Sequence, residues 1–416
     1  MKKIILFAAL AFSVTTTKSQ VVNDSVSIGS SNEVWYKLSD GTKTTQPRNN
    51  WDLALETNSF GVSVLFNNIG GNSVYEIANA GPADFLTLDT AGLGGSTPLY
   101  NSDTSWTEGA LNQASATYGW GEYNPISHSV EGAVVFVIKY TGGAYKKFFI
   151  EKVDNITPGN YFYSIIYSNL DNSGMDTAVV VKQTYNTKNF IYYSFTNNAI
   201  IDREPVSTEW DLLFTKYYGL TMGQMYPLTG TLQNKGVKVA QADGISDPAN
   251  YTDYSSHPRL TAINTIGSDW KTFNGSAYTI AANRVYFVQA KDNHIYKIIM
   301  TGFTGGATGK SNFTKEDLGT VVGINTIDNS VIASSLYPNP SNGETVKLIF
   351  SAETNSAAIA TVYDMQGKAV KQVSGNTIKG ELNQFDITTS DLANGIYTVQ
   401  LRINQAVVSQ KLIVNN

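Results

Sequence analysis

Three histidines, at positions 128, 257 and 294, are the whole supply of imidazole in this 416-residue chain, and cysteine is absent. Disulfides, thiolate zinc sites and a cysteine nucleophile are therefore excluded together. A Ser-His-Asp arrangement has little material to draw on, and neither a G-x-S-x-G elbow nor an H-E-x-x-H pair occurs. The stretch GFTGGATGKS, residues 302–311, has the look of a phosphate-cradling loop, but the first required glycine falls at Thr304 and no helix-forming run follows. DNSGMD, residues 171–176, begins like a calcium loop, yet its twelfth position is Lys182 where Glu is needed, so it reads as a turn. Carboxylates are plentiful, and a glycosidase needs only two of them about 5–10 Å apart, but no spacing singles out a pair. No catalytic residue and no metal-ligand set is nominated. Trp106, Trp120 and Tyr123 are rings that could stack on a sugar or a flat macrocycle, although isolated Trp in β domains is more often core.

The elements that would position such residues are strands. Hydrophobic residues make up 42% and charged residues 15%, which allows sizeable cores and excludes disorder. The 24 Tyr, with many short β-branched runs broken by Gly and Asn, predict an all-β protein, and the length predicts two or three domains. The net charge of −5 is spread without a basic run, so nucleic acid is not an expected partner. MKKIILFAALAFSVTTTKSQ has the basic start, apolar stretch and small-residue end of a secretory signal over residues 1–19, with cleavage expected between Ser19 and Gln20.

Two Trp-Asp-Leu triplets, at 51–53 and 210–212, suggest an internal repeat. Further blocks keep their order. WYKLSDG precedes the first triplet and YYSFTNN the second; SVLFNN at 63–68 answers GTLQNK at 230–235; Trp120 aligns with Trp270. The hairpins VVFVIKYTGGAYKKFFI and VYFVQAKDNHIYKIIM align with Phe136 on Phe287, Tyr145 on Tyr296 and Lys146 on Lys297. This predicts two similar domains, residues 30–172 and 186–320, a polar linker at 321–335 and a third domain at 336–416. In each triplet Trp and Leu, two apart, are expected to share one strand face and anchor the core, with Asp accepting hydrogen bonds from a neighbouring turn. The last segment, with period-two strands between Gly, Asn and Pro turns, predicts a small immunoglobulin-like β-sandwich.

That C-terminal segment resembles the sorting domain of type IX secretion cargo in the Bacteroidetes. The resemblance rests on YPNPSNG (Tyr337, Pro338, Asn339, Pro340, Gly343), VYDMQGKAV (Tyr363, Asp364, Gly367), DLANGIYTVQL (Gly395, Tyr397) and QKLIV, in that family's order. It implies export to the cell surface or medium, the type IX machinery and a sortase-like peptidase as partners, and release or attachment to surface lipopolysaccharide. From the residues alone, Pro338 and Pro340 should keep the entry to the first strand extended, and Gly367 and Gly395 suit turns of positive φ.

Each repeat is similar to the HmuY-like family of secreted haem-binding proteins, through the YYSF and EWDLLF strands, the Trp270 segment and the VYFVQAKDNHIYKIIM hairpin. Gly309 ahead of Phe313, and Gly159 ahead of Tyr163, complete the two copies. The resemblance implies haem or another porphyrin as cofactor, held by axial His or Met from loops. His128 aligns with Tyr278 and His294 falls in a hairpin turn, which leaves His257 of YSSHPRL, with the soft side chains of Met222 and Met225 as partners. The expected function is a secreted or cell-surface, non-catalytic binding protein. Two rivals stand beside it: a secreted hydrolase or carbohydrate-binding protein acting on an external glycan, and an adhesin or structural surface module.

Overall fold

The computed structural model describes residues 20–88, 93, 96–154 and 161–320, and from 331 to 415 all but 342, 344, 353 and 405. The expected signal segment up to Ser19, most of the linker, and Gly159 lie outside the described residues, while Gln20 opens them. The fold is all-β. Among the described residues the only helical elements are short 3-10 turns, and no helix is long and apolar enough to cross a membrane.

The chain first lays down β1 (Val22–Ser27), β2 (Asn32–Tyr36), β3 (Lys43–Pro47), β4 (Leu53–Glu56), β5 (Val64–Phe66) and β6 (Ser73–Glu76). After a long irregular stretch come β7 (Gly121–Tyr123), β8 (Val130–Gly132), β9 (Phe136–Lys139), β10 (Tyr145–Asp154), β11 (Phe162–Asn169) and β12 (Asp176–Val181). Then follow β13 (Phe190–Ser194), β14 (Ala199–Ile201), β15 (Leu212–Thr221), β16 (Gln224–Gln233), β17 (Lys238–Ala242), β18 (Lys271–Phe273), β19 (Tyr278–Ile280), β20 (Val285–Gln289), β21 (His294–Phe303) and β22 (Lys310–Thr320).

Two antiparallel ladders carry the same order of strands. One runs β12-β11-β10-β9-β6 and the other β1-β22-β21-β20-β17. Trp120 and Trp270 are buried beneath them in separate cores, each donating its indole N–H to a carbonyl, of Val62 at 3.0 Å and Gly267 at 3.2 Å.

The hydrogen bonding cuts across the expected division into residues 30–172 and 186–320. β2 pairs with β15, so Trp35 faces Leu213, while β13 pairs with β4, so Tyr192 faces Ala54. β1, the first described strand, closes the far ladder by pairing with β22. Residues 22–47 therefore complete a body otherwise built from 212–320, and the stretch from 53 to 201 forms the other without interruption. A strand pattern read along the chain fixes the period of such an array but not which strands pair.

The triplet aspartates follow from this exchange. Asp52 accepts the amide of Phe195 at 2.7 Å, just beyond β13, and Asp211 accepts that of Leu38 at 2.8 Å, just beyond β2. Asp211 also takes the Lys291 amide at 2.9 Å. Both are buried, and desolvation raises both carboxyl groups above the ordinary range. The expectation for the triplet Trp fails: Leu53 and Leu212 enter the two cores, whereas Trp51 and Trp210 turn into clusters at the seam between the bodies. Both Trp residues precede the regular strand, so the period-two rule does not govern them.

The hairpin alignment is also displaced by one residue. Phe136 packs in the core, while Phe287 lies on the outer face of its ladder; Tyr286 is the core residue there. Lys147, not Lys146, matches Lys297: each is buried and donates to a carbonyl of the loop covering the outer face, Phe85 at 2.6 Å and Ala249 at 2.7 Å. The Gly142-Gly143 and Asp292-Asn293 turns are equivalent once the second hairpin is shifted by one, since Tyr140 bonds Ala144 and Gly143 as Ala290 bonds His294 and Asn293, and a slip of one flips every side chain.

The last domain is a seven-stranded sandwich. β23 (Val331–Tyr337), β24 (Thr345–Ala352) and β27 (Leu382–Thr388) form one sheet. β25 (Ala357–Tyr363), β26 (Ala369–Asn376), β28 (Gly395–Ile403) and β29 (Ala406–Val414) form the other. Val346, Leu348, Val399 and Leu401 are among the alternating residues that fill the space between them.

Candidate functional site

Each histidine is hydrogen-bonded: His128 to Tyr123 at 2.7 Å, His257 to Tyr251 at 2.7 Å and His294 to Asp317 at 2.8 Å. His257 sits in the loop between β17 and β18, where its partner Tyr251 packs on Phe287 of the outer ladder face. Its visible work is to hold that cover. Met222 is at the turn of the β15–β16 hairpin, 102% exposed, and Met225 is the register partner of the exposed Leu220. Nine strand residues, roughly 30 Å, separate that turn from Gln233, whose amide meets Ile263 of the segment following His257. The two methionines are thus brought together, and His257 is not brought to them.

The hairpin is long because β15 and β16 pair over ten residues, against three register pairs for β4 and β5. Its base joins the body, and its tip projects with Leu220, Met222 and Tyr226 exposed. If haem were held here, the thioethers of Met222 at the turn and Met225 in β16 would be the soft groups offered to its iron.

The seam is the second feature. The Arg203 guanidinium, buried, lies 5.2 Å from the Trp35 ring, 5.8 Å from Trp51 and 5.0 Å from Tyr192. It donates to Glu33 at 2.6 Å and to the Pro47 carbonyl at 2.6 Å, and the other Glu33 oxygen accepts the Thr215 hydroxyl at 2.7 Å. These bonds offset the burial of the pair, while Arg203 Nε has no hydrogen-bond partner among the described residues. Beside it Glu204 accepts the Asn189 amide and the Tyr192 hydroxyl, and burial pushes its carboxyl up to about 7.

A cavity of about 90 Å³ opens at the first-triplet end of the seam, walled by Trp51, Trp106, Tyr192 and Tyr217 and bordered by Asn67 and Asp103. At the second-triplet end the space shrinks to about 10 Å³, room for one water, between Trp210, Asn189 and Glu204. No sequence signal pointed to either, since the lining converges from β15 and from loops far apart in the chain. Of the rings picked from sequence, Trp120 is core, Tyr123 is exposed at the β7 edge, and Trp106 alone lines this cavity.

In the sandwich domain Asn339 clamps the YPNPSNG segment to β29, donating to the Lys411 carbonyl at 2.7 Å and accepting the Ile413 amide at 2.9 Å. Tyr337 is exposed, and Pro338 and Pro340 each follow a cis peptide bond where extended chain was expected. Gly343 and Gly367 have φ of 86° and 79°, the left-handed region. Tyr363 ends β25, and Asp364 next to it accepts the amides of Gln366 at 3.0 Å and Lys368 at 2.9 Å. Gly395 departs from expectation: it opens β28 opposite Val414 in ordinary extended backbone and needs no positive φ. Tyr397 donates its hydroxyl to the Ala393 carbonyl at 2.9 Å.

No curated protein matches the chain. Among solved structures, PorZ, an essential surface component of the type IX secretion system of Porphyromonas gingivalis, aligns at 10% identity over 71% of this chain and 41% of its own, with a TM-score of 0.16. This chain thus spans less than half of that protein, and so low a score establishes no common fold. The family comparison is more definite: residues 335–415 match the secretion system C-terminal sorting domain, and residues 186–315 match the HmuY protein family. The chain is therefore a secreted or cell-surface protein that carries a type IX sorting domain behind an HmuY-type domain.

Proposed function

We propose that this protein is a non-catalytic binding protein of the cell surface that takes haem or a related porphyrin at the tip of the β15–β16 hairpin. The observation that carries the ligand class is the HmuY match over residues 186–315, a span that includes this hairpin. The place is supported by Met222 at the exposed turn and by the half-buried Met225 of β16, opposite the exposed Leu220. Leu220 and Tyr226 would contact the ring, and a thioether would meet the iron, whose chemistry belongs to the group when bound. The type IX machinery delivers the chain; removal of the sandwich by a sortase-like peptidase, and attachment to lipopolysaccharide, belong to the same proposal.

Titrating haemin into the chain beginning at Gln20 tests it. A shifted Soret band is expected, lost in the Met222→Ala/Met225→Ala double variant and kept in His257→Ala. No shift in the parent contradicts the ligand class, and loss only in His257→Ala moves the site to the Tyr251 loop.

A further inference from the structure

The two triplets are followed by matched asparagines with matched bonds. Asn67 donates its side-chain amide to the carbonyls of Arg48 and Trp51, both at 2.9 Å, and Asn234 donates to those of Ser207 at 2.8 Å and Trp210 at 2.7 Å. Their oxygens differ. Asn234 Oδ1 accepts from the Asn189 side chain at 2.7 Å, whereas Asn67 Oδ1, on a residue 2% exposed, has no hydrogen-bond partner among the described residues. Trp51 Nε1 is likewise buried without one, and both residues line the larger cavity. An unpaired buried acceptor or donor costs about 1–3 kcal/mol. Trp210 Nε1 at the other end is also without a partner among the described residues, so it is Asn67 Oδ1, whose counterpart is paired, that marks the larger space as one built to be filled.

We propose that this cavity is a second binding site, independent of the hairpin tip, for a single neutral hydroxylated ring such as one sugar residue of a glycan. A hydroxyl can donate to Asn67 Oδ1 while another accepts from Trp51 Nε1. The rings of Trp51, Tyr192 and Trp106 give the apolar C–H face of a sugar something to stack on, and they are held in place. Trp51 meets Tyr192 edge-on at 5.0 Å, and Trp106 donates its indole N–H to the Gln233 carbonyl at 2.8 Å. The lining carries two cations, Arg48 and Lys216, against two carboxylates, Glu33 and Asp103. Arg48 is bound to the carbonyls of Asn32 and Ser30, and Glu33 to Arg203 and Thr215. With its charges balanced, the site favours neither anion nor cation. A volume of about 90 Å³ is well below the roughly 300 Å³ at which drug-sized pockets begin, which limits the occupant to one ring.

The experiment is saturation-transfer NMR, with tryptophan fluorescence, on the chain beginning at Gln20 with methyl glucoside, methyl mannoside, galactose and N-acetylglucosamine at millimolar concentration. At least one sugar should give transfer and a saturable fluorescence change. Ser102→Trp, at the rim, should abolish both while the melting temperature holds, and Trp51→Phe, which keeps a ring but loses the donor, should weaken binding about fivefold. Binding should persist in the Met222→Ala/Met225→Ala variant, which separates this site from the haem proposal. Absence of transfer from all four sugars, or equal binding by parent and Ser102→Trp, overturns it.

Discussion

The two ends of the seam share a scaffold and differ in what fills it. At each end a Trp-Asp-Leu segment turns its Trp between the bodies, gives its Asp to the turn after the neighbouring strand of its own sheet, and is bridged by an Asn two carbonyls wide. At the Trp210 end Asn189 and Glu204 close the space; at the Trp51 end a cavity remains. The bonds common to both ends close each body on itself, and a feature present at only one end is where a function separate from folding can reside. The same contrast applies to the hairpins, short at β4–β5 and long with an apolar tip at β15–β16.

The largest effect should come from removing the N-terminal strands that complete the far body. Deleting residues 20–48 takes away β1 to β3 and leaves Arg203 without Glu33; residues 205–320 should then lose hydrogen-exchange protection while 51–201 keep more of theirs. Equal loss in both bodies would break the comparison.

Arg203→Ala should destabilise by about 3–5 kcal/mol in denaturant unfolding, because Glu33 is left buried and unpaired, and Glu33→Gln/Arg203→Met should recover much of it. A cost below about 1 kcal/mol would mean the pair is solvated.

Glu204 sets a pH dependence at the closed end. Its carboxyl, raised from 4.5 to about 7, keeps its proton in the folded chain where the unfolded chain has lost it. Stability should therefore fall by up to about 3 kcal/mol as pH rises from 4.5 towards 7, and Glu204→Gln should flatten that stretch of the curve.

Asp52→Ala orphans the buried Phe195 amide and Asp211→Ala those of Leu38 and Lys291, so each should cost about 1–3 kcal/mol, with Asp211→Ala the larger. Smallest of all, Met222→Ser at the exposed turn should change stability by less than about 0.5 kcal/mol while weakening haem binding.

Much of this was legible in the sequence for physical reasons. Tyr, Thr and Asn between short apolar runs favour strands and turns, and the aligned Trp120 and Trp270 both proved to be core. The triplet aspartates proved to be acceptors for turns, as a buried carboxylate beside backbone must be. The phase of the exchange was hidden because contiguous and traded pairings give identical strand patterns. The one-residue slip at Phe136 was hidden because both faces of that ladder are covered, so apolar residues stand on each. The cavity was hidden because its walls come from distant parts of the chain: Trp51 and Asn67 lie beside β4 and β5 of one body and Tyr217 on β15 of the other.

The trade of strands can be measured directly in a chain with no native cysteine. Asn23 and Thr314 are register partners on β1 and β22, and cysteines placed at both should oxidise to an intramolecular disulfide in the folded protein. Quantitative cross-linking, seen as faster migration without reductant, is the predicted result. Two thiols that stay free under the same oxidant would contradict the account, because the first strand would then not complete the last ladder.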